Sequence, residues 1–136
     1  FSNKDKEYIN DRLSMIYKSF SEIRLSSTER FNLIDYKHKK IGTLSNGQRE
    51  IVMLARMLIN DSKYILADEM LRSFNTNVKK QMLSILFSKF GLGVDNGVLL
   101  VTHDDKMKEY MEEYAPKSVK ITAYDFKNKH LEERLW

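Results

Sequence analysis

The sequence predicts an α/β fold in which a helical first part leads into a parallel sheet with crossover helices. Two observations support this fold class. Helical periodicity runs through the first half, whereas the second half alternates short apolar runs with amphipathic stretches in the order strand, helix, strand, helix, strand. At 136 residues, the chain has room for one modest domain or for half of a larger one.

The first part is predicted to be helical from about Lys6 to Leu33, with a break and a new helix start at residues 26–29. Residues that recur at steps of three and four form one apolar face: Ile9, Leu13, Ile16, Tyr17 and Phe20.

A second helix follows Gln48, and it is expected to stop at residues 60–62. Its buried stripe consists of Ile51, Leu54, Ala55 and Leu58. Residues 1–60 are therefore expected to form a helical subdomain, and residues 61–136 an α/β part.

The second part supplies the strands of the predicted sheet. Its expected elements are a buried strand at 63–69, a helix from Asn75 or Thr76 to about Phe90, a buried strand at 98–102, a helix at 103–114 and a third strand at 117–126. The residues of the first of these helices that should face inward are Val78, Met82, Ile85 and Leu86.

The composition excludes several classes of protein. Hydrophobic residues make up 42% and charged residues 31%, values typical of a folded globular chain. The net charge of +4 is spread along the chain and forms no basic stripe, so no nucleic-acid partner is expected. The chain has no cysteine, which excludes disulfides and thiolate metal sites, and no apolar run approaches the roughly 20 residues of a membrane span.

Polar residues follow two of the predicted strands at the point where each strand ends. Asp68 and Glu69 close the first strand, and His103 follows the second. Ligands bind at the carboxyl ends of open parallel sheets. If the strands are neighbours, the three side chains converge, with Asp68 towards Mg²⁺, Glu69 towards a water molecule and His103 towards an anionic oxygen. Taken singly, each residue fits equally well a strand that ends in a solvated turn.

A polar turn with the sequence LSNGQ, residues 44–48, precedes the second helix. Ser45 and Gln48 have the spacing of a capping box, so the turn is explained as a helix start. Gly47 also leaves the backbone open to a ligand, and the amide groups and dipole at the start of a helix favour an anion.

These motifs together closely resemble the ATP-binding-cassette (ABC) ATPase family. The resemblance rests on Leu-Ser-x-Gly-Gln at a helix start, Leu-Ala-Arg at 54–56, a strand ending in Asp-Glu and a strand ending in His, in that order. The interval from Gln48 to Asp68 also agrees with the family layout. The resemblance covers residues 43–104.

The resemblance implies a role for each motif. The signature motif would be Leu44, Ser45, Asn46, Gly47 and Gln48, the D-loop would contain Ser73, Phe74 and Asn75, Asp68 and Glu69 would close the Walker B strand, and His103 would be the switch histidine. ATP and Mg²⁺ are the implied cofactors.

The implied chemistry takes place between two nucleotide-binding domains packed head to tail. Ser45 and Gly47 would contact the γ-phosphate of ATP on the opposite subunit. Asp68 would hold Mg²⁺ through its water shell. Glu69 would deprotonate the attacking water, and His103 would steady the γ-phosphate.

The largest departure from the family is the absence of a G-x-x-x-x-G-K-[ST] loop (Walker A) and of any glutamine before Gln48 for the Q-loop. The chain is therefore expected to be a cut fragment that is inactive alone, taken from an ATP hydrolase. Its expected partners are the missing Walker A half, a second nucleotide-binding domain and the transmembrane domains of a transporter. Its expected location is the cytoplasmic face of the cell membrane.

Smaller departures concern single residues. Asn46 replaces a glycine of the signature. Asparagine tolerates left-handed backbone angles better than most residues, so the turn is expected to be kept. Met70 replaces the usual proline, and Asn75 replaces an aspartate of the D-loop. The segment GQREIVMLAR is similar to the exporter-type signature helix, in which the third position after the glutamine is apolar, here Ile51.

Two alternatives remain from the sequence. One is the C-terminal ATPase lobe of a chromosome-maintenance or DNA-repair ATPase, which would also lack Walker A. The other is a docking module that has lost catalysis, favoured only by Asn75. The presence of both Glu69 and His103 argues against the second alternative.

Overall fold

The computed structural model describes residues 3–25, 32, 42, 45–60, 62–127 and 130–133. The elements in chain order are α1 (Asn3–Phe20), α2 (Asn46–Ile59), β1 (Tyr64–Asp68), α3 (Thr76–Phe90), β2 (Gly97–Val101), α4 (Met107–Tyr114), β3 (Tyr124–Lys127) and β4 (His130–Glu133). The mixed helix and parallel-strand architecture confirms the predicted α/β class.

Helix α1 ends at Phe20, so the prediction of a helix that continues to Leu33 is wrong for residues 21–25. The Ser21 hydroxyl donates to the Lys18 carbonyl at 2.7 Å, competing with helix continuation, and the chain then turns so that Ile23 is fully buried. The helix start expected at residues 26–29 lies outside the described residues.

Helix α2 confirms the predicted second helix. It begins with the capping box of Ser45 and Gln48 and ends at Ile59, followed by Asn60 as its C-cap. All four residues of the predicted stripe are buried: Ile51, Leu54, Ala55 and Leu58.

Strands β1 and β2 are parallel neighbours, with Leu66 paired to Leu99 and Asp68 to Val101. One face of this pair packs on the helices through Ile65, Ala67, Val98 and Leu100. The other face is exposed, to 85% at Tyr64, 70% at Leu66, 64% at Leu99 and 45% at Val101. The prediction of fully buried strands is therefore wrong for this face, because among the described residues the helices cover only one side.

The predicted third strand at 117–126 is wrong in extent and in pairing. Only Tyr124–Lys127 forms a strand, and it pairs antiparallel with His130–Glu133 and not with the β1–β2 sheet. Lys127 pairs with His130, so two residues connect the strands, and a connection this short permits only antiparallel pairing.

The helical core is one cluster that draws on all four helices. Its fully buried side chains include Ile16 and Phe20 of α1, Ile51 of α2, Met82, Leu83 and Leu86 of α3, and Met107 of α4. The inward-facing residues predicted for α3 are buried, as expected. The division of the chain at residue 60 stays a prediction.

No helix in the described ranges combines the length and the apolar character needed to cross a bilayer.

Candidate functional site

The carboxyl ends of β1 and β2 bring Glu69 and His103 together, as the sequence predicts. Asp68 is the last residue of β1 and pairs with Val101, so His103 lies two residues beyond the paired end of β2. The distance from His103 Nε2 to Glu69 Oε1 is 3.0 Å. The three predicted strand-end residues therefore share one edge of the sheet.

Glu69 and His103 differ sharply in exposure. The side chain of His103 is 91% exposed, whereas that of Glu69 is 21% exposed. Glu69 Oε1 is itself buried, and although His103 Nε2 lies within ion-pair distance, no described residue gives this oxygen an aligned hydrogen bond. A buried acceptor without a donor carries a desolvation cost, so this oxygen is well suited to accept a hydrogen bond from water.

The backbone at Glu69 is in the left-handed region, with φ of 55°, and Leu71 follows with φ of 65°. Each such non-glycine residue costs about 1–3 kcal/mol. The Glu69 amide donates to the Val101 carbonyl at 2.7 Å, and Leu71 is buried, so surrounding contacts hold both residues. Met70, unlike the proline usual in the family, places no restriction on the backbone of the residue before it.

The turn before α2 has the predicted cap. Ser45 Oγ accepts from the Gln48 amide at 3.2 Å, and Gln48 Oε1 accepts from the Ser45 amide at 3.0 Å. Asn46 is the first helical residue and has no positive φ, so the expected use of left-handed angles there is wrong. The first turn of α2 contains no acidic residue, which leaves its amino end favourable to an anion. Leu44 lies outside the described residues.

The predicted D-loop residues connect β1 to α3. Asn75 is the N-cap of α3, and its Oδ1 accepts from the Val78 amide at 3.0 Å. Asparagine and aspartate cap helices about equally well. The replacement of the family's aspartate at this position therefore preserves the start of α3.

The turn at 45–48 and the segment at 70–75 are in contact. A Cβ added to Gly47 would lie 3.3 Å from Phe74 Cε1, so the aromatic ring fills the space beside this glycine. Glu50, one turn further along α2, accepts from the Ser73 amide at 3.1 and 3.2 Å. Glu50 was not predicted from the sequence, because its partner lies 23 positions away and no local pattern marks it.

Asp104 organises the loop that carries His103 and was also missed. Its Oδ2 accepts from Lys79 Nζ of α3 at 2.8 Å, and its Oδ1 accepts from the Lys106 amide at 3.0 Å. Its own amide donates to Thr102 Oγ1 at 3.0 Å. The hydrogen bond from Lys79 is the main reason why the pKa of Asp104 lies below its ordinary value, and the Lys106 amide lowers it further.

A cavity of about 790 Å³ lies between α2 and the end of β1. Its lining includes four of the predicted site residues: Asn46, Asp68, Glu69 and Ser73. In the described part of the chain, no group of three or more histidine and acidic side chains is arranged to hold a metal. An exposed carboxylate such as that of Asp68 does suit a hydrated Mg²⁺, which takes one or two carboxylates and completes its shell with water and phosphate.

Comparison with known families identifies the group to which this sequence belongs. The family described as ABC transporter matches residues 5–72, half of the chain. The chain belongs to this family. The match reaches into α1, further towards the amino end than the resemblance at residues 43–104.

Curated relatives of this ABC family chain are ATP-binding proteins of transporters. The macrolide export ATP-binding/permease protein MacB of Burkholderia lata is 32% identical over 106 residues, 78% of this chain and 15% of MacB. LolD, the lipoprotein-releasing system ATP-binding protein of Leptospira interrogans, is 36% identical over 65% of this chain and 35% of its own length. The manganese transport system ATP-binding protein MntA of Synechocystis is 34% identical over 59% of this chain and 30% of MntA. The chain thus spans about a third or less of these relatives.

A solved structure shares the fold. It comes from work on the structural biochemistry of ATP-driven dimerization and DNA-stimulated activation of SMC ATPases. The TM-score is 0.51 at 14% identity, over 96% of this chain and 88% of that chain. The similarity supports the α/β ATPase fold.

Proposed function

We propose that this chain is the signature-bearing part of an ABC transporter ATP-binding subunit or domain. The parent protein couples ATP binding and hydrolysis to substrate transport across a membrane. The observation that carries the proposal is the 3.0 Å approach of His103 to Glu69 at the sheet edge that also holds Asp68, in a chain of the ABC transporter family.

Glu69 is the general base in this proposal. Its buried Oε1 has no aligned donor among the described residues, so the oxygen is available to orient a water molecule and take its proton. His103, which is almost fully exposed, donates a hydrogen bond to an oxygen of the γ-phosphate. Asp68 would hold hydrated Mg²⁺, which would neutralise negative charge on the phosphates.

The signature residues act on the nucleotide of a second nucleotide-binding domain packed head to tail. They are Leu44, Ser45, Asn46, Gly47 and Gln48. The cap formed by Ser45 and Gln48 orders the first turn of α2, and the absence of acidic residues there favours a phosphate at this helix end. Catalysis then rests mainly on positioning and electrostatic stabilisation.

The exposed face of the β1–β2 sheet is the surface for the missing Walker A half of the same domain. Asp68 lies on this face together with Leu66 and Leu99, so a covering half would bring its phosphate-binding loop towards the Asp68 carboxylate. Parallel sheets are normally covered on both faces. The relatives, three to seven times longer than the segment matched here, contain ample chain to supply this cover.

The remaining partners follow from the transporter assignment. The parent protein works with transmembrane domains at the cytoplasmic face of the membrane. The relatives named for macrolide export and lipoprotein release, together with the apolar Ile51, favour an exporter. The chromosome-maintenance alternative draws support only from the shared fold, and the spread positive charge gives it none.

The proposal is tested by Glu69→Gln in the full-length protein that contains this chain. Loss of a general base is expected to reduce ATP hydrolysis about 10²- to 10⁴-fold while ATP binding persists. Glu109→Gln, an exposed acidic residue on α4, is the matched control and should leave hydrolysis unchanged. Hydrolysis at the wild-type rate in Glu69→Gln would refute the assignment of the base.

A further inference from the structure

The signature turn at 45–48 and the D-loop segment at 70–75 belong to separate elements, yet they touch within one chain. We infer that Glu50 is a positioning residue that fixes the D-loop segment to the signature turn, so that the two move as one body. The inference rests on the proposed function, because it concerns how two segments that act across the dimer keep their relative position.

The polar contact is a carboxylate that caps a loop amide. Both oxygens of Glu50 lie within hydrogen-bond distance of the Ser73 amide, at 3.2 and 3.1 Å, so the single N–H is shared between them. Glu50 follows Gly47 by one helical turn and therefore lies on the same side of α2. A hydrogen bond to an ionised acceptor is about twice as strong as a neutral one.

The apolar contact lies next to the polar one. Phe74 is half-buried, and its ring occupies the space beside Gly47, where a side chain would meet it at 3.3 Å. Adjacent residues of the D-loop segment are thus held at two points along one face of α2. The two contacts leave little freedom for the segment to slide along the helix.

The D-loop segment also has bonds to the end of β1, within itself and to α3. The Arg72 amide donates to the Glu69 carbonyl at 3.3 Å. The Phe74 amide donates to the Leu71 carbonyl at 3.1 Å, and Asn75 caps the following helix. Glu50 is a side chain of α2 that ties the middle of the segment by a hydrogen bond. Removing its carboxylate breaks this hydrogen bond to α2, whereas the contact of Phe74 beside Gly47 and the cap of α3 remain.

The first experiment measures amide hydrogen exchange by mass spectrometry in the full-length protein, using peptides that cover residues 70–75. Glu50→Ala is expected to speed exchange in these peptides about tenfold or more, because a charge-assisted hydrogen bond is lost. Glu50→Gln keeps a neutral acceptor and should show a smaller increase. Glu7→Ala, an exposed acidic residue on α1, is the control.

If Glu50→Ala fails to fold, Glu50→Gln alone decides, because the change is isosteric. Exchange at the wild-type rate in the folded Glu50 variants would overturn the inference. Exchange that rises equally in peptides throughout the protein would also overturn it, since that pattern reports general loss of stability.

The second experiment measures ATP hydrolysis by the same variants. Glu50→Ala should lower kcat about tenfold or more with KM for ATP within about twofold, because a positioning loss acts on the transition state. Glu50→Gln should retain most of kcat. Equal losses in both variants, or unchanged kcat in Glu50→Ala despite faster exchange, would refute the positioning role.

The two experiments also separate this inference from the proposed function. A wild-type protein that does not hydrolyse ATP contradicts the proposed function, while the exchange result still tests the contact. An active wild type that loses activity in Glu69→Gln but not in Glu50→Ala contradicts only the role of Glu50.

Discussion

Two residues that follow β1, Glu69 and Leu71, have unusual backbone angles. Glu69 is held at a positive φ with one oxygen buried, and the neighbouring Leu71 is held in the same way. Backbone strain of this kind persists only where surrounding contacts fix it. Here the Glu69 amide donates to the Val101 carbonyl and so extends the β1–β2 ladder by one hydrogen bond. In this conformation the Glu69 carboxylate lies at the edge of the sheet, 3.0 Å from His103.

The ion pair of Lys79 and Asp104 gives a pH-dependent prediction at this scale. The pKa of Asp104 is lowered in the folded protein, first by the hydrogen bond from Lys79. The pair therefore contributes stability above the unfolded pKa of about 4, and this contribution is lost as the pH falls through the lower folded pKa. Because the side chains are 14% and 24% exposed, Lys79→Met should reduce the free energy of unfolding by about 1 kcal/mol at pH 7.

Urea denaturation of wild type and Lys79→Met at pH 7 and near pH 3 measures this effect. The difference between the two proteins should shrink at the lower pH. Lys80→Met is the control, since Lys80 pairs with Glu113 in a more exposed position and should matter less. A difference that stays constant between the two pH values would contradict the proposed source of the stability.

At the scale of elements, Arg12 joins three helices. Its Nε donates to the Leu58 carbonyl near the end of α2 at 2.8 Å, and its guanidinium lies 5.5 Å from the ring centroid of Phe90 at the end of α3. A cation at the carboxyl end of a helix also interacts favourably with the helix dipole. Arg12 therefore stabilises the packing of α1 against both neighbours.

Arg12→Lys is predicted to lower the free energy of unfolding by about 1–2 kcal/mol, because lysine keeps the charge but loses the planar group that stacks and the Nε donor. Thermal and urea denaturation measure the change. Arg56→Lys, an exposed substitution on α2, should stay within about 0.5 kcal/mol of wild type. If both variants are equally stable, the contacts of Arg12 do not contribute as inferred.

Elements with a capping residue at their start were predictable from the sequence, whereas the end of α1 and the partner of β3 were not. Ser45 and Asn75 mark the starts of α2 and α3, and their caps are formed with residues three positions away. The alternating pattern before Lys127 indicates a strand, but it does not identify which strand pairs with it. The end of α1 at Phe20 and the pairing of β3 with β4 are set by local contacts, the Ser21 hydroxyl bond and the two-residue connection, that the apolar pattern does not encode.

The same distinction applies to the candidate site. The shared position of Asp68, Glu69 and His103 could be predicted because each lies at or just after the end of an apolar strand, and the carboxyl ends of neighbouring parallel strands meet at one edge. Glu50 and Asp104 contact partners 23 and 25 positions away through tertiary packing. Their roles could therefore be recognised only from the structure.

At the scale of the whole molecule, the main feature is a sheet with one covered and one exposed apolar face. Tyr64, Leu66, Leu99 and Val101 form a contiguous patch across two paired strands. Exposed patches of this kind mark interaction surfaces or cause association. In the proposed function, the patch is buried against the Walker A half. Substitutions in the patch should therefore affect self-association and the free energy of unfolding differently in the isolated chain and in the full-length protein.

This difference is tested by the double substitution Leu66→Lys with Leu99→Glu, which places an ion pair at two directly paired positions. In the isolated chain the two side chains face solvent, so we expect reduced self-association by light scattering and a free energy of unfolding within about 1 kcal/mol of wild type. In the full-length protein the same charges would be buried, and the free energy of unfolding should fall by about 1–4 kcal/mol. Equal stability of the substituted and wild-type full-length proteins would show that no other part of the protein covers this face, because buried charges cannot be accommodated there without that loss.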